Sequence, residues 1–240
     1  MKSRRGSTNQ VESSPEGGIG PWAVKQVIFA LILAAALFLS SGRLDWAEGW
    51  FFLGLALLIG LVSALVLVPG SPDLLAERSK MKAGTKSWDK GLSFAMAFSP
   101  IVMAVTAGLE RRFSEVNSLA FAPLIIGAVA AILGALFTLW AMATNRFFSG
   151  VVRIQKERGH TAVTFGPYRY VRHPGYLGAV VFTLATPLIL RSIWTLVPAV
   201  LTVALTVVRT KFEDDTLQEE LEGYRDYARQ VRSRLLPGFW

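Results

Sequence analysis

A polar stretch between long apolar segments holds most of the side chains that could do chemistry. Residues 164–177 read Thr-Phe-Gly-Pro-Tyr-Arg-Tyr-Val-Arg-His-Pro-Gly-Tyr-Leu, with two arginines, three tyrosines and two prolines. The chain has only two histidines, and both belong to this region: His173 lies inside the stretch and His160 just before it. Polar side chains at this density between hydrophobic helices need a function, and we interpret the stretch as part of a cofactor pocket.

The dipeptide His173-Pro174 predicts the start of a helix. Proline suits the first helical position and moves the preceding residue out of the α region. The ring of His173 is then expected beside free backbone N–H groups, which attract anions such as a carboxylate. Arg169 and Arg172 add positive charge nearby. The alternative is that His173 only caps the helix and the arginines bind lipid phosphate.

Two further groups of residues allow a structural and a functional interpretation. Tyr168, Tyr170 and Tyr176 are typical of an aromatic belt at the membrane interface, or they line the pocket. Arg209 and Glu213 are spaced i,i+4, which favours a surface ion pair. Near a pocket, Glu213 would instead accept a hydrogen bond from a ribose or an amine, and Arg209 would orient a substrate anion.

The composition indicates the helices that must position these residues. The 240-residue chain is 52% hydrophobic, with a mean hydropathy of +0.42. Several apolar runs reach the roughly 17–25 residues that a helix needs to cross a bilayer, and the alternating pattern of a membrane barrel is absent. We predict an all-α, polytopic integral membrane bundle of about five or six transmembrane helices. The candidate spans are 22–41, 49–69, 92–109, 120–144, 175–190 and 193–209.

The positive charges predict the orientation of the bundle. With these spans, 21 of the 25 Lys and Arg residues lie on the same side as the N-terminus. The positive-inside rule therefore places both termini in the cytoplasm, in the inner or plasma membrane if the protein is bacterial. The net charge of +8 then favours membrane lipids as partners, and no nucleic acid is expected.

Residue counts exclude several kinds of site. The chain has no cysteine, so it has no disulfide, thiolate nucleophile or zinc–thiolate centre. Two histidines are too few for a histidine-rich di-iron membrane oxygenase. We therefore expect no metal.

The chain divides into three predicted parts. Residues 1–21 are expected to be a disordered cytoplasmic leader, and 22–144 to form N-terminal transmembrane helices on the structural or substrate side. Residues 145–240 would bind the cofactor and carry catalysis, with a helical hairpin followed by a cytoplasmic amphipathic tail helix over 216–235. The charged segment 69–91 is either a connector lying on anionic lipid or a lid.

The C-terminal motifs resemble those of a known family. The run from Gly166 to Tyr176 reads Gly-Pro-Tyr-Arg-Tyr-Val-Arg-His-Pro-Gly-Tyr, and a predicted helical hairpin follows it. Then come Arg209-x3-Glu213-Asp214-x2-Leu217 and Tyr224-x2-Tyr227. This pattern, over about residues 145–237, is similar to the isoprenylcysteine carboxyl methyltransferase (ICMT) family. One departure is Asp214, where the family usually has a second glutamate.

The resemblance implies a function and a set of site residues. It implies S-adenosylmethionine bound within the C-terminal helices, and the chain indeed has no G-x-G-x-x-G dinucleotide motif. The cofactor would enter from the cytoplasm and a lipophilic small-molecule or lipid acceptor from the bilayer. The resemblance implies that Arg209 lies near the transferred methyl group, with Arg172 in support. The candidate catalytic residues are therefore Arg209, Glu213 and Arg172. The residues implied for the cofactor site are His160, Tyr168, His173, Pro174, Tyr176 and Glu213.

The leading hypothesis is therefore an integral-membrane, S-adenosylmethionine-dependent methyltransferase acting on an acceptor like an isoprenylcysteine carboxylate. A phospholipid amine or small-thiol methyltransferase of the same fold is the first alternative. An NADPH-dependent membrane reductase with a related core, or a non-catalytic lipid-binding or transport protein, are the others.

Overall fold

The computed structural model describes residues 16–71, 74, 84–114, 121–238 and 240, and the regular structure of these residues is helical. Two short 3-10 helices, Lys156–Arg158 and Gly166–Arg169, lie in the long connection that precedes the last hairpin. The all-α prediction is confirmed. The α-helices within the described residues are α1 (Glu16–Ser41), α2 (Ala47–Gly70), α3 (Ser87–Phe113), α4 (Ala122–Thr144), α5 (Pro174–Leu190), α6 (Leu196–Glu220) and α7 (Tyr224–Gln230).

Four of these helices are long and apolar enough to cross a membrane: α1 from Gly20 onward, α2, α3 and α4. The apolar α5 has 17 residues, and α6 is apolar only in its first half. Many large apolar side chains face outward, and Leu39, Leu65 and Ile126 are 76%, 67% and 61% exposed. Because an apolar surface of this extent is compatible with lipid but not with water, the chain is an integral membrane bundle, as predicted.

Of the three groups of buried apolar side chains among the described residues, the two largest hold the bundle together. One lies in the membrane-spanning part and joins α1 through α5, with Leu37, Trp46 and Ile189 among its members. The other lies where α4 ends and α5 begins, which we call the polar end of the bundle. It consists of Ala141, Tyr168, Leu221, Tyr224 and Tyr227, and partly buried residues from 145–165 pack on it.

The helices α4 and α5 form the closest pair in the bundle. Their backbones approach at Gly134 and Gly178: a Cβ atom on Gly134 would lie 2.6 Å from the carbonyl oxygen of Gly178. Small residues permit this approach, which is the usual way for helices to pack tightly in a membrane. The contact fixes the N-terminus of α5, and therefore His173, relative to the end of α4.

Several boundaries differ from the sequence prediction. Helix α3 begins at Ser87, five residues before the predicted span, which brings Asp89 into its first turn. The predicted tail helix is broken at Gly223, whose φ of +76° is favourable for glycine only, so that α6 continues to Glu220 and α7 is short. The apolar face predicted for the tail helix nevertheless packs at the polar end of the bundle. Its residues there are Leu217, Leu221, Tyr224, Ala228 and Val231.

Two predicted segments lie partly outside the described residues. Of the predicted leader, residues 1–15 are not described, and residues 16–21 belong to α1. Of the segment 69–91, residues 72–73 and 75–83 are not described.

Candidate active site

His173 lies at the helix boundary that the sequence predicts. It is the N-cap of α5, with φ −124° and ψ 62°, and Pro174 begins the helix. The fixed φ of proline suits this position, so the chain turns into the helix here. The imidazole is 5% exposed and stacks on the ring of Tyr176, with the two centroids 5.8 Å apart and the planes 14° apart.

Asp214 gathers the polar side chains around His173. Its carboxylate is fully buried, and its Oδ1 lies 3.3 Å from Nε2 of His173. Arg172 binds it with two parallel hydrogen bonds, from Nε to Oδ1 at 2.8 Å and from Nη2 to Oδ2 at 2.9 Å. Burial disfavours the carboxylate, but the hydrogen bonds of His173 and Arg172 outweigh this effect and hold the pKa of Asp214 well below its usual range. Further donors to Asp214 are Arg234 at 2.9 Å, Tyr224 at 3.1 Å and Gln218 at 2.8 Å.

Arg172 also fastens the C-terminal tail to the site. Its Nη1 donates to the backbone carbonyls of Val231 at 2.9 Å and Arg232 at 3.1 Å. The backbone N–H groups of Arg172 and His173 donate in turn to the carbonyls of Ser233 and Arg234, each at 3.0 Å. The tail therefore closes one side of the site, and Arg172 holds it there.

Glu213 and Tyr176 form a second polar pair. The hydroxyl of Tyr176, on the first turn of α5, donates a short hydrogen bond to Oε2 of Glu213 on α6. The guanidinium of Arg209 lies over the ring of Tyr176, 5.4 Å from its centroid. The hairpin of α5 and α6 thus returns Glu213 and Arg209 to the level of His173, as the sequence predicts.

Arg209 pairs with Asp89 and not with Glu213. Its Nε donates to Oδ1 of Asp89 at 2.7 Å and its Nη2 to Oδ2 at 3.2 Å. Nη2 also donates to the carbonyl of Gly150 at 2.9 Å. The surface ion pair suggested by the i,i+4 spacing is replaced by a buried pair between α3 and α6.

The connection between α4 and α5 places His160 at the cavity. The backbone N–H of Gln155 donates to Nδ1 of His160 at 3.3 Å, and the ring packs against Phe147 with centroids 4.5 Å apart. Burial, together with the positive charges of Arg153 and Arg158, lowers the pKa of His160 to about 4. The imidazole is therefore neutral at physiological pH.

Two of the three tyrosines singled out in the sequence turn inward. Tyr168 is 7% exposed, its hydroxyl accepts from Nδ2 of Asn145 at 3.2 Å, and its carbonyl accepts from the Tyr227 hydroxyl at 2.7 Å. Tyr176 contacts Glu213 as described above. Tyr170 is 62% exposed and has the position expected of an interfacial residue.

These groups surround one cavity of about 370 Å³ at the polar end. Its size falls within the roughly 300–1,000 Å³ of small-molecule sites. Met96 and Ala97 of α3, Met142 of α4 and Ala179 of α5 give it an apolar wall. The polar wall includes every site residue predicted from the sequence: His160, Tyr168, Arg172, His173, Pro174, Tyr176, Arg209 and Glu213.

Three contributors to the site were missed by sequence reasoning. Asp89 falls in a segment that the sequence assigns to a connector, although a buried arginine such as Arg209 requires an acidic partner somewhere. Asn145 supports Tyr168, and its only signal is its position at the end of an apolar run. Arg234 reaches Asp214 from the tail, and no spacing rule connects the two.

Comparisons with known proteins identify relatives of this chain. A model of the isoprenylcysteine carboxyl methyltransferase (ICMT) family matches residues 124–219, a range that contains all eight predicted site residues. A protein from Oryza sativa subsp. indica named "Probable protein-S-isoprenylcysteine O-methyltransferase" is 30% identical over 202 residues, which cover 79% of this chain and 96% of that protein.

Two shorter matches point the same way. The protein-S-isoprenylcysteine O-methyltransferase of Xenopus laevis is 28% identical over 120 residues, covering 46% of this chain and 40% of the relative. That of Saccharomyces cerevisiae is 34% identical over 97 residues, covering 40% and 38%. The long match to the rice protein, together with the family model over α4, α5 and α6, shows that this integral membrane protein is a methyltransferase of the isoprenylcysteine carboxyl methyltransferase family.

Proposed function

We propose that the protein transfers a methyl group from S-adenosylmethionine to a lipophilic acceptor that carries a carboxylate like that of an isoprenylcysteine. The observation that carries this proposal is that one cavity is lined both by the polar residues Glu213, Arg209 and His160 and by the apolar residues Met96 and Met142. A polar methyl donor and an apolar acceptor need such a cavity, with one wall suited to each.

The polar wall fits the chemical groups of S-adenosylmethionine. Glu213 suits the ammonium group or the ribose hydroxyls, and the N-terminus of α5 at Pro174 suits the carboxylate. The neutral ring of His160, packed on Phe147, offers an aromatic surface for the adenine. We assign His160, Tyr168, His173, Pro174, Tyr176 and Glu213 to the donor.

The acceptor would reach the site from the lipid. Helix α3 packs mainly on α1 and α6, whereas α4 packs mainly on α5. Met96 and Met142 therefore belong to two helices whose main packing partners lie elsewhere, and the space between them is the apolar side of the cavity. Methionine side chains are flexible and adapt to an apolar chain.

In this reaction the protein contributes position and charge. When bound, S-adenosylmethionine supplies an electrophilic methyl group on a sulfonium. Arg209 orients the acceptor carboxylate near it, and the carboxylate of Glu213 stabilises nearby positive charge. Arg172 acts in support, because its N–H groups are bonded to Asp214 and to the tail. Holding two reactants aligned at about 3–3.5 Å supplies several kcal/mol of barrier reduction.

A carboxylate acceptor needs no general base. A phospholipid amine or a thiol would have to lose a proton, for which Glu213 or His173 is available. If the protein methylates an amine or a thiol and not a prenylated cysteine carboxylate, the acceptor class proposed here is wrong. The fold and the donor site would be the same in either case.

Calorimetry in detergent tests the donor site. S-adenosylmethionine should bind the wild-type protein and NADPH should not. Glu213→Gln and His173→Ala should each weaken donor binding at least about tenfold, the equivalent of 1.4 kcal/mol. The control is Asp215→Asn, because the side chain of Asp215 is 41% exposed and pairs with the exposed Lys211. Wild-type affinity in both site variants would contradict the donor site.

The acceptor is tested separately with donor carrying a labelled methyl group. Wild-type protein in lipid nanodiscs should label a farnesylated cysteine with a free carboxylate, and not the same compound as its methyl ester. Equal labelling of both compounds would exclude the carboxylate as the acceptor group.

A further inference from the structure

Asp89 is a buried acidic residue from the N-terminal half of the chain. It lies in the first turn of α3, and its carboxylate has no solvent exposure. Its Oδ2 accepts from the backbone N–H of Val152 at 2.7 Å and from the hydroxyl of Ser93 at 3.0 Å. Both oxygens also accept from Arg209. One carboxylate thus joins α3, α6 and the connection between α4 and α5.

The geometry of these contacts fixes the plane of the Arg209 guanidinium. Two of its nitrogens bind the two oxygens of Asp89, which is the bidentate arrangement that a planar guanidinium favours. The carbonyl of Gly150 and the ring of Tyr176 hold it from two other directions. Arg209 therefore has one orientation, and Asp89 makes the strongest of the contacts that set it.

Asp89 itself is outside the cavity. Arg209, Tyr176 and Ser93 line the cavity, whereas Asp89 is not among its lining residues. Asp89 contacts three groups that line the cavity, namely Arg209, the hydroxyl of Ser93 and the backbone N–H of Val152. Arg209 is the charged one of the three, and it is therefore the group through which Asp89 would act on an acceptor carboxylate.

We infer that Asp89 is a positioning residue for methyl transfer, which holds the Arg209 guanidinium in the orientation that receives the acceptor carboxylate. This inference rests on the function proposed above. It also gives the N-terminal helices a part in the active site, because Asp89 precedes the range of residues 124–219 that the family model matches.

The kinetic test uses Asp89→Asn, Arg209→Gln and the double variant, assayed with labelled donor and a farnesylated cysteine. Asp89→Asn should lower kcat about 10- to 100-fold, because a displacement of about 1 Å at an orienting group costs up to about 100-fold. Donor affinity by calorimetry should change less than about threefold. The double variant should be no slower than Arg209→Gln alone. If Asp89 had only a structural role, Asp89→Asn would lower the activity by the same factor in the wild-type protein and in Arg209→Gln.

The matched control is Glu48→Gln. Glu48 pairs with Arg191 at 2.8 Å at the start of α2, and neither residue lines the cavity. This variant also removes the charge of a partly buried ion pair, so it should lower the melting temperature without changing kcat. A kcat for Asp89→Asn within twofold of wild type would overturn the inference, as would equal losses of kcat in Asp89→Asn and Glu48→Gln.

A measurement without cofactor separates this inference from the proposed function. In protein labelled with ¹⁵N-arginine, the Nε–H signal of Arg209 is identified by its loss in Arg209→Gln. The Nε proton of Arg209 should exchange slowly with solvent in the wild type and in Glu48→Gln, and rapidly in Asp89→Asn. If Asp89→Asn does not fold, Asp89→Glu keeps the charge on a longer side chain and should show the same loss of kcat. Inactive wild-type protein would contradict the proposed function, whereas an unchanged Nε–H signal in Asp89→Asn would contradict the positioning role.

Discussion

A buried carboxylate surrounded by cations makes Asp214 the most sensitive single residue of the site. Arg172 and Arg234 form ion pairs with it at 2.8 and 2.9 Å, and His173 lies at 3.3 Å. Losing the negative charge would leave positive groups buried without compensation. Breaking a buried pair in this way costs about 3–5 kcal/mol.

We therefore expect Asp214→Asn to lower the melting temperature strongly and to abolish donor binding, because His173 and the tail lose their common partner. The neighbouring Asp215→Asn should change the free energy of unfolding by no more than about 0.5 kcal/mol. Thermal unfolding of both variants in detergent provides the measurement. Equal melting temperatures for the two would show that the contacts of Asp214 do not stabilise the fold.

The same residue predicts a pH dependence. The pKa of Asp214 is lower in the folded protein than in the unfolded chain, so its contribution to stability is complete above about pH 4, the ordinary value for aspartate. It is lost as the pH falls below that value. Wild-type protein should therefore lose stability more steeply than Asp214→Asn as the pH falls below about 4.

At the scale of elements, the pair α4 and α5 positions the site. Gly178 of α5 lies against Thr138 and the backbone of Gly134 on α4, and Thr138 donates to the carbonyl of Gly175 at 3.3 Å. Because His173 is the N-cap of α5 and Tyr176 lies in its first turn, any separation of the two helices displaces both residues together.

Gly178→Ala should therefore destabilise the bundle by about 1–3 kcal/mol and weaken donor binding, because the added methyl group has no space. Gly54→Ala on α2 is the matched control, since nothing lies within 4 Å of the added Cβ there. That variant should be neutral or slightly stabilising, because alanine is the better helix former by about 1 kcal/mol. Thermal unfolding and calorimetry measure both effects. A Gly178→Ala protein that behaves like Gly54→Ala would contradict the close contact.

For the whole molecule, the distribution of charge predicts the side of the membrane on which the site opens. Of 25 Lys and Arg residues, 21 fall on the side of both termini when the six predicted spans are counted. The cavity lies on this side as well, where Tyr224 and Tyr227 of α7 are part of its lining. We propose that this side is cytoplasmic, as the positive-inside rule predicts.

Single cysteines test this orientation directly, because the natural chain has none. Arg229→Cys on α7 and Arg43→Cys between α1 and α2 alter exposed side chains, 81% and 48% accessible. A membrane-impermeant maleimide should label Arg43→Cys in intact cells and Arg229→Cys only in inverted vesicles. The reverse pattern would show the opposite orientation.

The sequence alone predicted most of the local structure. Hydropathy marked the spans, and the dipeptide His173-Pro174 marked the start of α5, because proline acts on the residues next to it. Resemblance to a family selected eight residues, all of which line the cavity. The spans and the helix start depend on short segments, and the eight residues depend on recognised motifs. All of them could therefore be predicted from the sequence.

Only the tertiary structure decided which partners these residues have. Arg209 pairs with Asp89, 120 positions away, and not with Glu213 on its own helix. Arg234 reaches Asp214 only because the chain turns at Gly223 and brings the tail back across α6. A buried ion pair depends on which helices pack together and at what distance, and no periodicity along the chain encodes that. The sequence therefore predicted eight residues that the fold brings to one cavity, and the packing of distant helices added their partners and determined how their charges are balanced.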